Sequence, residues 1–261
     1  MDKIGAFTEK RFPKIRNIIV ETGKESGRHY TMQGLFEVDV TDAKEKIRRH
    51  HEETGEKLSF TAWLLTCIGK AVEKYPQVHA YRKKNKIILF EDVDISTLVE
   101  NTLKNSPFPT VKVIRKTNEK TVEEITREIR EAQEQKEEAI LKRYDRKMNL
   151  FVRLPSRIRG LLFWRRLRND PFFRKKQAGT VIVTSVGMFG NTRGWGISPT
   201  HHSLSFTVGG MYEQPKLVDG KLENRTILCL TVSLDHDLID GAPAVRFIAY
   251  LVELMQSSQG L

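Results

Sequence analysis

Several features that assign proteins to specialised classes are scarce or missing in this chain. Only two cysteines occur among its 261 residues, Cys67 and Cys229, and each lies inside an apolar segment. Neither a disulfide framework nor a cysteine zinc site is therefore expected. No run approaches the roughly 18 consecutive apolar residues of a membrane helix, and the N-terminus "MDKIGAFTEKRFPK" lacks an apolar signal core. We predict a soluble, cytoplasmic protein.

A flexible linker is also missing, and this bears on the number of domains. No Gly-, Ser- or Pro-rich stretch divides the chain, so we predict a single domain over residues 1–261. The net charge of +11 comes from one segment, because Lys142 to Lys176 contains thirteen Lys and Arg residues against Asp145 and Asp170. The remaining 31 basic and 31 acidic side chains cancel. We interpret residues 142–176 as a basic insertion in a neutral domain.

The hydrophobic pattern predicts helices and strands in mixed order. Helices are predicted after Pro13, in "AKEKIRRHHEETG" with Thr41 or Asp42 as its cap, in "SFTAWLLTCIGKAVEKYP", after a Thr121–Glu124 capping box, and in "APAVRFIAYLVELMQ". Strands are predicted in "YTMQGLFEVDV", "NKIILFE", "DVDISTLVE", "TVKVIRK", "GTVIVTSVG", "HSLSFTVGG" and "RTILCLTVSLDH". Because no helix separates the last strands, we predict an α+β fold: a two-layer sandwich, with a mixed β-sheet and helices on one face.

Within the basic insertion, the sequence after Pro155 predicts a short amphipathic helix that ends at Pro171. The residues expected on its apolar side are Ile158, Leu161, Leu162 and Phe163, and those expected mostly elsewhere are Arg157, Arg159, Arg165, Arg166 and Arg168. Such a helix can pack on its own domain or a neighbouring subunit, lie on an anionic membrane, or contact phosphates. We do not expect it to bind nucleic acid, because no nucleic-acid-binding motif accompanies the charge.

The stretch "SLDHDLIDG" places His236 directly after an apolar strand and four residues before Asp240. On pattern alone it has both a structural and a chemical interpretation, because Asp caps helices and Gly permits a tight entry. The pair His201-His202 also suggests chemistry. Adjacent residues of an extended segment point to opposite faces, however, so the pair is a poor metal site and no metal is expected.

Several segments taken together resemble the catalytic domain of the dihydrolipoyl acyltransferases, the core subunits of 2-oxo acid dehydrogenase complexes. They are "GTVIVTSVGMFG", "FTVGG" and "SLDHDLIDG", preceded by "FEVDV", "KLSFTAWLLTCIGKAVEKYP" and "KIILFEDVDIS". The resemblance covers the chain except for about Lys142 to Lys176. It implies a chloramphenicol acetyltransferase-like fold. It also implies an acyltransferase that moves an acyl group between a thioester, of coenzyme A or a lipoyl group, and a thiol or hydroxyl acceptor.

The resemblance implies catalytic roles for two residues. His236 would be the general base that takes the proton of the acceptor, a task suited to a neutral imidazole with an unperturbed pKa near about 6.5. Thr184 stands where the family has a serine whose hydroxyl donates to the oxyanion of the tetrahedral intermediate. A threonine hydroxyl can donate in the same way, and Ser185 is the alternative donor if the register slips by one residue.

A further pair of residues would support the site. By the resemblance Asp240, which precedes Gly241, forms an ion pair with an arginine near the N-terminus, and Arg16 is the best match although Arg11 is close. Asp237 departs from the family pattern, because the dehydrogenase cores usually carry a basic residue there. A carboxylate that approached His236 would raise the imidazole pKa.

The resemblance also implies partners and substrates. We expect a homotrimer whose active sites lie between subunits, with a coenzyme A thioester as substrate and no metal or redox cofactor. No lipoyl attachment site is expected in this chain, so a lipoyl group would come from a separate lipoyl-bearing protein. The alternative is a non-catalytic scaffold or membrane-surface protein that uses the basic amphipathic segment 150–176. Residues 142–176 would then contact an anionic membrane or an acidic partner.

Overall fold

The computed structural model describes residues 5–14, 16–99, 110–134, 146, 150–185 and 193–261. The strands are β1 (Thr31–Asp39), β2 (Tyr81–Lys83), β3 (Lys86–Ile88), β4 (Ile95–Val99), β5 (Thr110–Ile114), β6 (Val181–Ser185), β7 (Leu204–Val218) and β8 (Lys221–Asp235). Six of them form one sheet in the order β1-β8-β7-β6-β4-β5, and β2 and β3 form a separate hairpin. The sheet is mixed, because β6 is parallel to β4 and β7 whereas the other neighbours pair antiparallel.

Within the described residues, five α-helices lie outside the basic insertion. They are α1 (Arg16–Ser26), α2 (Thr41–Thr54), α3 (Phe60–Lys74), α4 (Val122–Glu134) and, at the C-terminal end, α8 (Gly241–Gln256). The basic insertion contributes α5 (Ser156–Arg159), a π-helical turn (Gly160–Trp164), α6 (Arg165–Asn169) and α7 (Pro171–Ala178). The first three of these follow one another without a break, so residues 156–169 form one helical rod.

One face of the main sheet is apolar and packs against helices. Alternate residues of β6, β7 and β8 point to this face, as the two-residue period of a strand requires. They include Val183, Phe206 and Val232, and they form one buried cluster with side chains of α3 and α8 such as Trp63 and Phe247. Burial of these side chains is the main stabilising contribution to the fold. The predicted α+β fold, with a mixed sheet and packed helices, is confirmed.

The helix starts show where local sequence decides structure and where it does not. The predicted capping box is confirmed, because the Thr121 N–H donates to Glu124 Oε2 at 2.9 Å and the Glu124 N–H donates to Thr121 Oγ1 at 3.3 Å. The predicted side-chain cap of α2 is wrong. That helix begins at Thr41 with Val40 as its N-cap residue, and the Asp39 carboxylate accepts bonds from both the N–H and the hydroxyl of Thr41.

The predicted apolar side of the insertion helix is wrong for three of its four residues, whereas the fourth, Phe163, is half-buried and packs on other aromatic rings. The side chains of Ile158, Leu161 and Leu162 are exposed, at 41%, 59% and 63%. Arg159 and Trp164 are buried instead, at 3% and 5% exposure. Leu167 is also buried, at 4% exposure, so the buried face combines one arginine with apolar residues other than Ile158, Leu161 and Leu162.

The partner of the buried face is helix α1 of the same chain. Arg159 Nε donates to both carboxylate oxygens of Glu21 at 3.1 and 3.0 Å, and Trp164 Nε1 donates to the same carboxylate at 2.8 Å. Arg168 makes a bidentate contact with Glu25 at 2.9 and 3.0 Å. Of the three predicted interpretations of the helix, the structure shows packing on its own domain. Across the described ranges, no helix combines the length and the apolarity that crossing a bilayer requires.

Candidate functional site

The predicted base, His236, lies in the turn between β8 and α8. Its N–H donates to the carbonyl of Tyr30 at 2.7 Å, and the carbonyl of Asp235 accepts bonds from Leu238 and Ile239 at 3.1 and 3.2 Å. These bonds fix the main chain of the turn on both sides of the histidine. The imidazole itself is exposed. The chain therefore presents His236 on a rigid support with its ring free to meet another surface.

The carboxylate of Asp235, the residue before His236, binds His29, a residue for which the sequence suggested no role. Asp235 Oδ2 lies 3.0 Å from His29 Nδ1, and Asp235 Oδ1 accepts the N–H of Asp237 at 3.1 Å. The Asp235 side chain is 6% exposed and that of His29 is 23% exposed. Asp235 therefore supports the turn by binding His29. The side chain of Asp237 is exposed. No sequence signal links His29 to Asp235, because 206 residues separate them.

The predicted pair of Asp240 and Arg16 is not formed within one chain. Asp240 holds the N-cap position of α8, ahead of Gly241, and its carbonyl accepts the N–H of Ala244 at 3.2 Å, but its side chain makes no capping bond. Arg16 is exposed at the first residue of α1. Among the residues that the structure describes, neither side chain has an ion-pair partner.

The predicted oxyanion donor, Thr184, lies on β6 and points to the face opposite the apolar core. Its hydroxyl is 3.4 Å from the Ser198 hydroxyl, from the Phe206 carbonyl and from the Thr207 hydroxyl. These contacts are long, since hydroxyl hydrogen bonds usually measure about 2.7–2.8 Å. Among the described residues, the Thr184 hydroxyl thus has no short hydrogen bond that would compete with a better acceptor. Ser185 is half-buried and points to the other face of the strand.

Thr184 belongs to a row of hydroxyls that crosses the sheet. It pairs with Thr207 on β7, which in turn pairs with Thr231 on β8. The hydroxyl of Thr231 is buried and has no hydrogen-bond partner among the described residues. The alternation of Thr and Ser with apolar residues in these strands was a sequence signal for this polar face. The predicted turn "GMFG", residues 187–190, lies outside the described residues.

His236 and Thr184 are far apart within one chain. Thr231 stands in register with Thr184 two strands away, and His236 follows Thr231 by five residues. Two strand spacings of about 4.8 Å and five residues of about 3.3 Å each place the two residues about 19 Å apart. Their side chains cannot close this distance. One chain therefore carries two halves of a candidate site that do not meet.

A cavity of about 160 Å³ lies beside the His236 turn. It opens where the α1–β1 loop, the β2 strand and the basic insertion meet the turn. The residues that line it are Arg28, His29, Tyr81, Arg82, Arg168, Pro171, Arg174, Ser203, Asp235, Asp237 and Leu238. The residues on either side of His236 thus contribute to its wall.

The adjacent pair His201-His202 is buried next to the insertion. Burial lowers the pKa of His202 to about 4, and its Nε2 lies 2.9 Å from the Ala178 carbonyl. Burial also lowers the pKa of His201, so both imidazoles are neutral at physiological pH. Over the described part of the chain, no three His, Cys, Asp or Glu side chains are grouped as metal ligands. The histidine pair is therefore part of the packing between the insertion and the sheet.

Comparison with known proteins adds to this geometry. The family model "2-oxoacid dehydrogenases acyltransferase (catalytic domain)" matches residues 5–151 and 173–261. The chain is 26% identical over 228 residues to the lipoamide acyltransferase component of a branched-chain alpha-keto acid dehydrogenase complex from Bacillus subtilis, covering 85% of this chain and 46% of the relative. It is 25% identical over 233 residues to a dihydrolipoyllysine-residue succinyltransferase component of the 2-oxoglutarate dehydrogenase complex from Staphylococcus epidermidis, covering 86% and 47%. The chain spans about half the length of these curated relatives.

A solved structure shows the same fold over nearly the whole chain. It is that of a dihydrolipoamide acetyltransferase from Azotobacter vinelandii, which superposes with a TM-score of 0.71 at 21% identity and covers 97% of this chain and 93% of that chain. That structure belongs to investigations on the role of a serine, a histidine and an asparagine in the catalytic mechanism of that enzyme. There the asparagine follows the histidine by four positions.

Proposed function

The chain belongs to the 2-oxoacid dehydrogenase acyltransferase family, and on this premise we propose that it transfers an acyl group between a thioester and a thiol or hydroxyl acceptor. The observation that carries the proposal is the exposed imidazole of His236 on a turn whose main chain is fixed. His236 precedes Asp240 by four positions, the spacing of the histidine and asparagine in the Azotobacter enzyme. The relatives named above are acyltransferase components, so they support an enzyme and not the alternative of a scaffold.

The reaction follows from the chemistry of the two candidate residues. The imidazole of His236 accepts the proton of the acceptor thiol or hydroxyl as the acceptor attacks the thioester carbonyl. The carbonyl oxygen becomes an oxyanion, and the Thr184 hydroxyl donates a hydrogen bond to it. When the tetrahedral intermediate collapses, the carbon–sulfur bond breaks and the leaving thiolate takes the proton back from the imidazolium. The sequence of steps balances without an external acid, base or oxidant.

We further propose that each site is completed by a second subunit of a homotrimer. Because about 19 Å separate His236 from Thr184 in one chain, a site that uses both must join His236 of one subunit to Thr184 of the neighbouring subunit. The exposure of His236 and Asp240 in the single chain supports such an interface. The thioester substrate would be coenzyme A or a lipoyl group presented by a lipoyl-bearing domain. Neither proton transfer nor carbonyl attack needs a metal.

The assignment of His236 is tested by turnover. With an acyl-coenzyme A donor and free dihydrolipoamide as acceptor, we expect His236→Ala to lower kcat by about two to four orders of magnitude. His51→Ala is the matched control, because His51 is exposed on α2 and far along the sequence from the turn. Turnover near the wild-type value in His236→Ala would remove the histidine from the mechanism and leave the family membership without the proposed chemistry.

A further inference from the structure

The cavity beside the His236 turn is lined by several arginines. We propose that it binds an anionic group of a substrate, a phosphate or a carboxylate, and holds that group beside the turn that carries the candidate base. The inference rests on the proposed function and specifies the substrate class of the same site. It depends on four arginines that different segments of the chain bring to one small space: Arg28, Arg82, Arg168 and Arg174.

The size of the cavity limits what it can hold. At about 160 Å³ it is close in size to a cavity of about 150 Å³ that binds benzene, so a phosphate or a carboxylate fits into it. Because the cavity is open on one side, the charged group inside it can belong to a larger ligand that extends into solvent.

Arg174 supplies the strongest reason to expect an anion. Its side chain is buried, with 4% exposure for the residue. Its Nε donates to the Leu167 carbonyl at 2.9 Å, its Nη1 donates to the His201 carbonyl at 2.8 Å, and the guanidinium lies 4.7 Å from the centre of the Tyr81 ring. No carboxylate among the described residues forms an ion pair with it. Buried charges are normally paired, and this one lines an open cavity, so a ligand can provide the missing negative charge.

The carboxylates near the cavity leave an excess of positive charge. Asp235 is engaged by His29 and by the N–H of Asp237. Glu25 is engaged by Arg168 and lies 3.6 Å from Arg28. The four arginines carry four positive charges, and Asp235, Asp237 and Glu25 carry three negative charges. One positive charge is therefore not compensated, without counting His29. Guanidinium groups are well suited to phosphate and carboxylate recognition, because their N–H groups match two oxygens at once.

The position of the cavity connects it to the proposed reaction. Asp235 and Asp237, the two neighbours of His236, both line it, so an anion held there lies beside the turn that carries the candidate base, although His236 itself is not a lining residue. Arg168 belongs to residues 152–172, which the family model leaves unmatched. The basic insertion therefore completes the cavity with a residue outside the matched family core. On this account the insertion serves substrate recognition through its inner face.

Binding is tested with the smallest probe, inorganic phosphate, on the purified full chain at low ionic strength. We expect phosphate to bind saturably in calorimetry, and we expect the double variant Arg28→Gln, Arg82→Gln to raise the Kd at least tenfold. Both side chains are exposed at the cavity mouth, so the fold should tolerate the change. The control is Arg153→Gln, Arg157→Gln, which removes the same charge from exposed arginines of the insertion that do not line the cavity.

Two results of that titration would overturn the site. One is the absence of saturable phosphate binding, and the other is an equal loss of affinity in both double variants, which would indicate only the overall positive charge. A milder change inside the cavity, Arg174→Lys, keeps the charge but removes the planar fork. We expect it to weaken phosphate binding, and unchanged affinity would argue against the role of Arg174.

Kinetics identify the source of the anionic group. Three donors are compared in the Arg28→Gln, Arg82→Gln variant: acetyl-coenzyme A, acetyl-pantetheine and succinyl-pantetheine. A KM raised only for acetyl-coenzyme A assigns the cavity to a coenzyme phosphate, and a KM raised only for succinyl-pantetheine assigns it to an acyl carboxylate. If all three KM values stay within twofold of wild type while His236→Ala abolishes transfer, the anion site is wrong and the proposed function stands. If His236→Ala retains transfer while phosphate binding still depends on the arginines, the proposed function fails and the cavity remains a phosphate site without the proposed catalytic role.

Discussion

His236 combines a fixed main chain with a free side chain. Its N–H bond to Tyr30 and the contact of Asp235 with His29 hold the turn, whereas the imidazole faces solvent. With the main chain fixed, only the side-chain torsions of His236 must be ordered when an acceptor arrives. A smaller entropic cost of orientation favours reaction, because positioning of reactants makes a large contribution to enzymatic rates. His29 is therefore a candidate positioning residue, because it holds Asp235 and, through Asp235, the turn that carries His236.

Thr184 gives a prediction at the same scale. We expect Thr184→Ala to lower kcat by about 10²–10³-fold, the usual effect of removing one oxyanion donor. Thr184→Ser keeps the hydroxyl and should retain most of the activity. Initial rates with an acyl-coenzyme A donor and dihydrolipoamide measure the effect, and unchanged KM values would locate the loss in the chemical step.

Ser185→Ala is the matched control for that experiment. Ser185 is the next residue of β6, and successive strand residues point to opposite faces, so its hydroxyl cannot replace that of Thr184 without a shift of register. We expect Ser185→Ala to be nearly as active as wild type. A large loss in Ser185→Ala together with an active Thr184→Ala would exchange the two assignments.

Among the elements, the insertion is held to α1 by buried charge. Burial raises the pKa of Glu21. The pKa is lowered by hydrogen bonds from Arg159 and Trp164 and by the charge of Arg159. The lowering effects are larger together, so the net pKa lies below the usual 4.5. The unfolded chain therefore takes up this proton at a higher pH than the docked one. The contribution to docking is fully present above about pH 4.5 and is lost as the pH falls through the lower folded pKa.

This charge pairing predicts a local opening that can be measured. Glu21→Gln at neutral pH should expose residues 156–169 to hydrogen exchange, because breaking a buried ion pair by removing one partner costs about 3–5 kcal/mol. The wild-type segment should show the same opening on acidification, before the strands of the main sheet exchange. Glu53→Gln is the control, since Glu53 is exposed on α2. Protection of residues 156–169 that is equal in both variants would mean that apolar contacts, and not Glu21, hold the insertion.

The elements also show what a sequence can predict. The Thr121–Glu124 box and the end of α3 before Pro76 were predictable, because each depends on residues within one turn of the chain. The buried face of the insertion was not, because Arg159 enters the interior only when Glu21, 138 residues earlier, accepts its hydrogen bonds. Amphipathic periodicity assumes that apolar side chains are buried. It fails where a distant carboxylate makes burial of an arginine favourable.

In the whole molecule, strand order decides how the site is assembled. The motif around His236 and the threonine of β6 were both visible in the sequence, and the family resemblance implied a site between subunits. The sequence contains no measure, however, of the distance between the two residues within one chain. This distance follows from the position of β7 between β6 and β8 and from the register of Thr184 with Thr231. Strand order is set by long-range packing and has no local signal. The sequence motifs therefore suggest which groups could react, and the sheet adds the distance that separates His236 from Thr184 within one chain.

A shared site makes a quantitative prediction for mixed oligomers. We expect His236→Ala and Thr184→Ala each to keep only the low residual activity given above, because each lacks one half of every site. After the two variants are unfolded together and refolded in equal amounts, subunits of the proposed trimer combine at random. A site regains both groups when an intact His236 faces an intact Thr184, which occurs at one quarter of the interfaces. Activity should therefore return to about 25% of wild type. This is a large gain over the Thr184 variant alone, whose kcat is lowered by about 10²–10³-fold. The double variant refolded with wild type controls for recovery, and activity that stays at the level of the separate variants would place His236 and Thr184 in the same chain or remove one of them from the site.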